Sequence, residues 1–221
     1  MINHHPGDDM LMSYAAGSLP AGFSLLVAAH ASLCARCQGR IREAEAVGGA
    51  LLHEAEPVAV SSDALARVMQ RIADEPHGPA EDVAPKKFEA IPNPDVPAPL
   101  RALLPGSFDE MPWRMLAPGV KQIVLPLGDG GTTKTRLLKL APGTVTPAHS
   151  HKGQECTMVL RGSFSDKLGR YGPGDVQEAD GEVHHQPAAD LGEDCICLTV
   201  TDAPLRFDSL LGRMLQPLLG Y

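Results

Sequence analysis

Apolar residues recur at three- and four-residue steps through residues 1–75, which is the pattern of helices with one buried face. The pattern predicts a first helix over about 10–19, capped by Asp8 or Asp9. After a proline it predicts a long second helix over about 21–46, which ends near two glycines. The beginning of the chain is therefore predicted to be helical rather than extended.

A further helix is predicted near the end of this region, opened by Ser62 or Asp63. One of its faces is apolar and consists of Leu65, Val68, Met69 and Ile72. Together the helices make a small all-α domain over 1–75. A hydrophobic core is marginal at that size, and a structural metal would add stability.

Proline dominates the next stretch, with nine prolines in residues 74–112. Proline removes a backbone donor and interrupts helices and central strands, so an extended linker is predicted over 76–112. Four apolar residues are expected to pin its later part to the following domain: Leu100, Leu103, Leu104 and Trp113.

From about residue 113 the apolar period shortens, which predicts β-strands separated by Gly, Pro and Asp turns. The predicted strands cover 121–127, 133–140, 156–160, 175–178 and 195–201. Many short strands indicate an antiparallel β-barrel or jelly roll over 113–221, with a short helix at 210–219. The predicted fold class is therefore α + β in two domains, an all-α domain followed by this β domain.

The charge, the apolar runs and the cysteine spacing of the chain limit the classes of function that it can have. The net charge is −8, and residues 1–75 carry five Arg, no Lys and nine Asp and Glu. This acidic balance disfavours direct nucleic-acid binding and suits a basic protein partner. No apolar run approaches the roughly 20 residues that span a membrane, and the start of the chain does not look like a signal peptide. Five cysteines in Cys-x-x-Cys and Cys-x-Cys spacings do not suggest a secreted disulfide framework, so a cytoplasmic location is expected.

Five residues in the β region share a spacing that chance rarely supplies: Gly143, His149, His151, Glu155 and Gly162. Histidines two apart on a strand point to the same face, and a glutamate just past a bend can rejoin them. Imidazole and carboxylate suit a divalent transition metal. The alternative is a metal-free barrel with surface histidines.

A second candidate site lies in the helical region. His30, Cys34 and Cys37 are spaced i, i+4 and i+7, so on one helix they point the same way, as three ligands of a tetrahedral zinc must. The fourth ligand has to come from elsewhere, and His4 and His5 are the obvious donors. The alternative is that the three residues are packed in the core.

The motif from Gly143 to Gly162 resembles the first metal-binding motif of the cupin family. That resemblance implies a metal, zinc or another divalent transition metal, held by His149, His151, Glu155 and a later histidine, for which His184 and His185 compete. Four protein ligands leave tetrahedral zinc no open position, which favours a structural or sensing metal. An octahedral iron or manganese would keep two positions for a substrate.

Two further cysteines, Cys195 and Cys197, lie two apart on a predicted strand and face the same side. They are redox candidates, a thiol pair that oxidants modify near the cupin pocket. The alternative is that they are two small buried residues in the wall of the barrel. Cys156 is expected to pack in the core.

The helical domain resembles the zinc-binding anti-sigma factors, through its His-x3-Cys-x2-Cys site at 30–37. A cupin-like domain after it resembles the anti-sigma factors of the singlet-oxygen response, and the likeness extends to 195–198 and 202–207. The resemblance implies that His5 binds zinc together with His30, Cys34 and Cys37. It also implies that His185 is the last cupin ligand.

The resemblance also implies a function. The chain would sequester an extracytoplasmic-function sigma factor in a one-to-one complex and inhibit transcription until an oxidative signal such as singlet oxygen releases it. It would not be an enzyme, and neither nucleic acid nor membrane would be its partner. The alternative function is a dioxygenase-like cupin metalloenzyme whose zinc domain docks a protein.

Overall fold

The computed structural model describes residues 1–74 and 96–207, apart from 102, 105, 128, 129 and 132. The helix predicted at 210–219 and most of the predicted linker lie outside these residues. Within them the chain forms helices α1 Asp8–Ala15, α2 Ala21–Ala31, α3 Ala35–Glu54, α4 Ala64–Asp74 and α5 Ala98–Arg101. None of the helices in this described part is long and apolar enough to cross a membrane.

The predicted long second helix is wrong, because it is two helices. The backbone N–H groups of Leu33 and Cys34 both donate to the carbonyl of His30, which closes α2. Cys34 then adopts an extended conformation, with φ −119° and ψ 100°, and caps α3. The apolar periodicity continues across the break, so the pattern could not reveal it. After the break the first turn of α3 stays close to His30, since Sγ of Cys37 lies 3.3 Å from Nε2 of that histidine.

The first helix starts slightly earlier than predicted. Gly7 occupies the cap position, and Asp8 and Asp9 lie in the first turn of α1 instead of capping it. Carboxylates in a first turn interact favourably with the positive end of the helix dipole.

The strands are β1 Arg114–Ala117, β2 Val120–Val124, β3 Lys134–Leu140, β4 His149–His151, β5 Glu155–Arg161, β6 Phe164–Asp166, β7 Gly169–Tyr171, β8 Val176–Ala179, β9 Ala188–Ala189, β10 Cys195–Thr201 and β11 Leu205–Phe207. In the described chain they form an antiparallel sheet ordered β1-β2-β3-β10-β5-β8, a β11-β4 pair and a β7-β6-β9 sheet. The predicted α + β class is confirmed. Among the described residues the strands do not close into a barrel but pair as separate jelly-roll-like sheets.

Strand β10 separates two parts of the hydrophobic core, and all seven of its residues are buried. Successive side chains of a strand point to opposite faces. Ile196, Leu198 and Val200 join the core beneath the helices, whereas Cys195 and Cys197 face the interior between the sheets. The helices therefore cover the outer face of the six-stranded sheet.

Helix α2 lies directly on this sheet and contacts β10 and β5. A Cβ atom added at Gly22 would lie 2.7 Å from Cγ1 of Val200, so only glycine allows so close an approach. Leu26 and Val27 of the same helix are fully buried. The helical and β regions thus share one continuous core.

Part of the proline-rich stretch also belongs to this core. Leu100 and Leu104 are buried there, as expected, while Leu103 is 42 % exposed. The short helix α5 is a departure from the predicted extended conformation. Pro99 lies in its first turn, where proline is tolerated because the first N–H groups of a helix have no intrahelical partner.

Candidate metal centres

The four residues predicted to hold zinc come together. One side-chain donor atom from each of His5, His30, Cys34 and Cys37 lies within 4.8 Å of all the others. His5 precedes α1, His30 lies in the last turn of α2, Cys34 caps α3 and Cys37 lies in its first turn. The expectation that three donors share one helix face is therefore wrong, although the donors converge.

The distances within this cluster match a tetrahedron. Nδ1 of His5 lies 3.4 Å from Nε2 of His30 and 3.5 Å from the Sγ atom of each cysteine. Nε2 of His30 lies 3.3 Å from Sγ of Cys37. With Zn–N of about 2.0 Å and Zn–S of about 2.3 Å, tetrahedral geometry places two nitrogens about 3.3 Å apart and a nitrogen and a sulfur about 3.5 Å apart. The donor set fits zinc.

The protonation pattern also fits a cation. Nδ1 of His30 lies 2.8 Å from the carbonyl oxygen of Gly174, which only accepts, so Nδ1 carries the proton and Nε2 presents its lone pair to the cluster. Burial raises the pKa of Cys37 to about 11, with the hydrogen bond to Cys34 as the next cause. Burial also lowers the pKa of His30. A metal would compensate the thiolate charge that burial disfavours.

His4 takes no part in the cluster. Its ring packs on Tyr171 with centroids 4.4 Å apart. The choice between the two adjacent histidines follows from where their rings lie, since that of His4 contacts Tyr171 and that of His5 contacts His30.

The second predicted set also comes together, with donor atoms of His149, His151, Glu155 and His185 within 4.8 Å of one another. Nε2 of His185 lies 3.1 Å from Nε2 of His149 and 3.2 Å from Nε2 of His151. His149 and His151 lie on β4, and Glu155 begins β5. His185 is 2 % exposed, whereas its neighbour His184 is exposed to solvent.

Hydrogen bonds outside this cluster set the direction of its lone pairs. Nδ1 of His149 donates to the carbonyl of Pro147 over 2.8 Å. Nδ1 of His185 lies 2.9 Å from the carboxylate of Asp166. Both Nε2 atoms are therefore lone-pair acceptors and face each other. Two such acceptors 3.1 Å apart repel unless a cation lies between them, so these residues fit a metal ion.

The electrostatics of the second cluster favour neutral imidazoles. Burial lowers the pKa of His151 to about 4, helped by the neighbouring His149 and His185. Burial raises the pKa of Glu155 to about 7, although its side chain is 12 % exposed. Nδ1 of His151 is buried, has no hydrogen-bond partner among the described residues, and lies 3.8 Å from a carboxylate oxygen of Glu155. Neutral imidazole and a carboxylate are the forms in which these residues bind a divalent metal.

A cavity of about 150 Å³ lies beside this cluster between the sheets. His149 and Glu155 reach its wall, which is otherwise mostly apolar. Cys195 and Cys197 line the same cavity, with their Sγ atoms 3.6 Å apart. Cys156 lies on the other face of the sheet, in the core beneath the helices.

Sequence reasoning missed the residues that orient the two sets of donors. Asp166 holds His185, and Gln177 donates to the same carboxylate oxygen of Asp166 over 2.8 Å. Gly174 and Asp175, which directly precede β8, contact the first cluster and its N-terminal segment. No spacing rule connects these residues with the donors, since they are distant in sequence.

Three comparisons place the chain among known proteins. A family model described as the ChrR cupin-like domain matches residues 105–204. The anti-sigma-E factor ChrR of Cereibacter sphaeroides is 44 % identical over 216 residues, which cover 98 % of this chain and 97 % of that protein. The crystal structure of Rhodobacter sphaeroides SigE in complex with the anti-sigma ChrR is similar, with 42 % identity, a TM-score of 0.77 and coverage of 91 % of this chain and 100 % of that chain.

Proposed function

The chain belongs to the ChrR family of anti-sigma factors, and we propose that it binds an extracytoplasmic-function sigma factor one-to-one and inhibits transcription by sequestering it. The family relationship covers both regions of the chain. In this proposal residues 1–75 make the sigma-binding unit, 76–112 connect it, and 113–221 make the cupin-like unit.

The apolar face of α4 carries this proposal. Leu65, Val68, Met69 and Ile72 of this helix are each more than 50 % exposed. In the described chain no residue of α4 is buried. A helix with one apolar face is stable when that face is covered by another element. A sigma factor is the partner that we propose covers it, since the similar crystal structure is a complex with SigE.

The proposal is tested with single charges on opposite faces of α4. Tagged full-length chain is used to recover its sigma factor from the native host, and affinity is then measured with both purified proteins. Val68→Asp and Ile72→Asp should each weaken binding by about 2 kcal/mol, or roughly 30-fold, as at interface hot spots. Gln70→Asp, on the polar face, is the matched control and should change affinity less than threefold. Equal effects of all three substitutions would refute the proposed face.

We also propose that His5, His30, Cys34 and Cys37 hold zinc. Their donor distances support a tetrahedral ion. Bound zinc would join the N-terminal segment, α2 and the start of α3, which are separate elements in the chain. Metal binding and folding are coupled in small domains, so removal of zinc should loosen the α2–α3 junction and release the sigma factor.

For the second cluster we propose a divalent transition metal, zinc or another, held by His149, His151, Glu155 and His185. This cluster and the adjacent thiols would sense an oxidant such as singlet oxygen and govern release. In the thiol pair, oxidation to a disulfide would remove two electrons and two protons, which the oxidant accepts. The 3.6 Å separation of Cys195 and Cys197 supports that reaction.

The cavity beside the second cluster favours one alternative, a small-molecule enzyme of the dioxygenase type. A regulatory role is preferred because three histidines and a glutamate occupy most positions around a metal. Oxygen consumption by the iron-loaded chain with candidate small substrates separates the two. A turnover that His151→Ala abolishes would support the enzyme, and sigma release by oxidant without turnover would support the sensor.

A further inference from the structure

The segment before α1 lies along the outer edge of β8. The backbone N–H groups of Asn3 and His4 donate to one carboxylate oxygen of Asp175 over 2.6 and 2.9 Å. In return, the N–H of Val176 donates to the carbonyl of His4 over 3.1 Å. In the described chain β8 ends the six-stranded sheet, so this segment covers its open edge.

The turn before β8 also orients His30, a donor residue of the first cluster. The carbonyl oxygen of Gly174 accepts a hydrogen bond from His30. Ile2 packs so closely over this glycine that an added Cβ would lie 2.6 Å from Cδ1 of Ile2. The turn before β8 thus fixes His30 directly, and it fixes His5 through the backbone of the adjacent residue, His4.

The stretch 174–177 also contacts the surroundings of the second cluster, through Gln177. Gln177 donates from Nε2 to Oδ2 of Asp166 over 2.8 Å, and His185 contacts the same oxygen over 2.9 Å. The side chain of Asp166 is fully buried. Its other oxygen accepts the backbone N–H groups of Leu168 and Gly169 over 2.8 and 3.2 Å. Gln177 and His185 are therefore linked through one fixed carboxylate.

We propose that residues 174–177 couple the two clusters, so that a metal at the second cluster tightens metal binding at the first. The inference rests on the proposed metal sites. A metal that holds His185 in place also orders Asp166 and Gln177. Gln177 directly follows Val176, the residue whose N–H donates to the carbonyl of His4. Coupling between sites is reciprocal, so metal at the first cluster tightens the second by the same factor.

The coupling would transmit a change at the second cluster to the helices of the proposed sigma-binding unit. A change at the second cluster that frees His185 loosens the support of His30 and of the N-terminal segment. The first cluster then binds its metal less tightly, and α2 and α3 are no longer held together. A coupling of about 5- to 150-fold is usual between two linked sites in proteins.

Cobalt gives a test that reports on the first cluster, because the candidate ligands of that cluster include two thiols whereas those of the second cluster are three imidazoles and a carboxylate. The affinity of full-length protein for Co²⁺ is measured from the thiolate-to-cobalt absorption band. The measurement is made with the second cluster intact and with it weakened by His151→Ala, or by Glu155→Gln, which keeps the side-chain volume. Either substitution should lower the affinity of the first cluster about fivefold or more.

The link itself is tested with Gln177→Met, which keeps an unbranched side chain of similar size but cannot donate to Asp166. In that background the effect of Glu155→Gln on the first cluster should fall below twofold. Gln186→Met, at an exposed glutamine beside His185, is the matched control and should leave the effect unchanged.

Three results would overturn the inference. Equal cobalt affinity with and without the second cluster would show that the sites are independent. Coupling that survives Gln177→Met would place the link in the β5–β8 pairing rather than in the glutamine. A chain that shows no thiolate-to-cobalt band at all would also remove the proposed zinc site, so the two failures are distinguishable.

Discussion

Nδ1 of His30 donates a hydrogen bond to the carbonyl oxygen of Gly174 across 2.8 Å. The two residues are 144 positions apart in the chain. A histidine that binds a metal is usually oriented by a hydrogen bond from its other ring nitrogen. Here that bond crosses from the helical region to the β region, so the first cluster depends on both.

Replacement of Gly174 by alanine should destabilise the protein and weaken the first cluster. Gly174 has φ +89°, and its added Cβ would meet Ile2. Strain of this kind costs about 1–3 kcal/mol. Urea unfolding of the zinc-loaded chain measures the change. Gly39→Ala in α3 is the control, because no atom of the described residues lies within 4 Å of a Cβ added there, and alanine there should stabilise by about 0.5–1 kcal/mol.

Loss of a thiol should remove zinc from the first cluster. Loss of a residue that only hydrogen-bonds to a metal ligand lowers metal affinity roughly 10- to 100-fold. Cys37→Ala removes a proposed ligand itself, so it is expected to lower zinc affinity by more than that. Bound zinc is measured by elemental analysis after dialysis against a chelator. Cys156→Ala removes a buried thiol elsewhere in the core and should retain zinc at the first cluster. Full zinc retention by Cys37→Ala would refute the proposed ligand set.

Asp166→Asn should weaken metal binding at the second cluster without removing a ligand. The carboxylate orients His185 and raises its basicity, and loss of such a partner costs about 10- to 100-fold in metal affinity. Isothermal titration of the chain with Mn²⁺ or Zn²⁺ measures the change at this site. Asp109→Asn, an exposed carboxylate paired with Arg161, is the control. Affinity equal to that of the parent chain would show that Asp166 has no such role.

The stability of the β region should depend on Asp190 in a pH-dependent way. Its carboxylate accepts hydrogen bonds from Ser163, Ser165 and Arg170. The hydrogen bond from the Ser163 hydroxyl is the main reason why the pKa of Asp190 lies below its ordinary value of 3.8, and the hydrogen bond from Arg170 lowers this pKa further. Because the folded pKa is lowered, the stabilisation is present above the unfolded pKa and is lost as the pH falls through the folded one.

The check is the free energy of unfolding of the parent chain and of Asp190→Asn, measured from about pH 7 down to about pH 3, which is about one unit below the ordinary pKa of an aspartate. The difference between the two proteins should be greatest at neutral pH and shrink below about pH 4. Protonation of the proposed metal ligands affects both proteins alike and cancels in the difference. A difference that stays constant over the whole range would contradict the prediction.

Much of the candidate chemistry could be predicted because it is local in sequence. His149, His151 and Glu155 stand at fixed offsets around one strand and one bend, and local geometry brings them together. Cys34 and Cys37 are likewise near in sequence. The break before α3 could not be predicted, since Leu33 and Cys34 continue a periodicity that a straight helix would also show.

The residues that orient the donors could not be predicted either. Asp166 meets His185 and Gln177 only after three different strands and loops have packed together. Sheet order follows from long-range pairing, which periodicity does not encode. The strand pattern predicts a barrel or a jelly roll and locates most of the longer strands, but the sheet order that decides for the jelly-roll-like arrangement lies beyond its reach.

The pairing of the N-terminal segment with β8 has a consequence for biosynthesis. Asn3 and Asp175 are separated by 172 positions, so at about 5–20 residues per second roughly 10 to 30 s pass between their translation. Residues near Asn3 are thus made well before the strand edge that holds them. A nascent chain presents α4 before the edge that supports the proposed zinc ligands has been made, so newly made copies of the chain should bind a sigma factor most weakly.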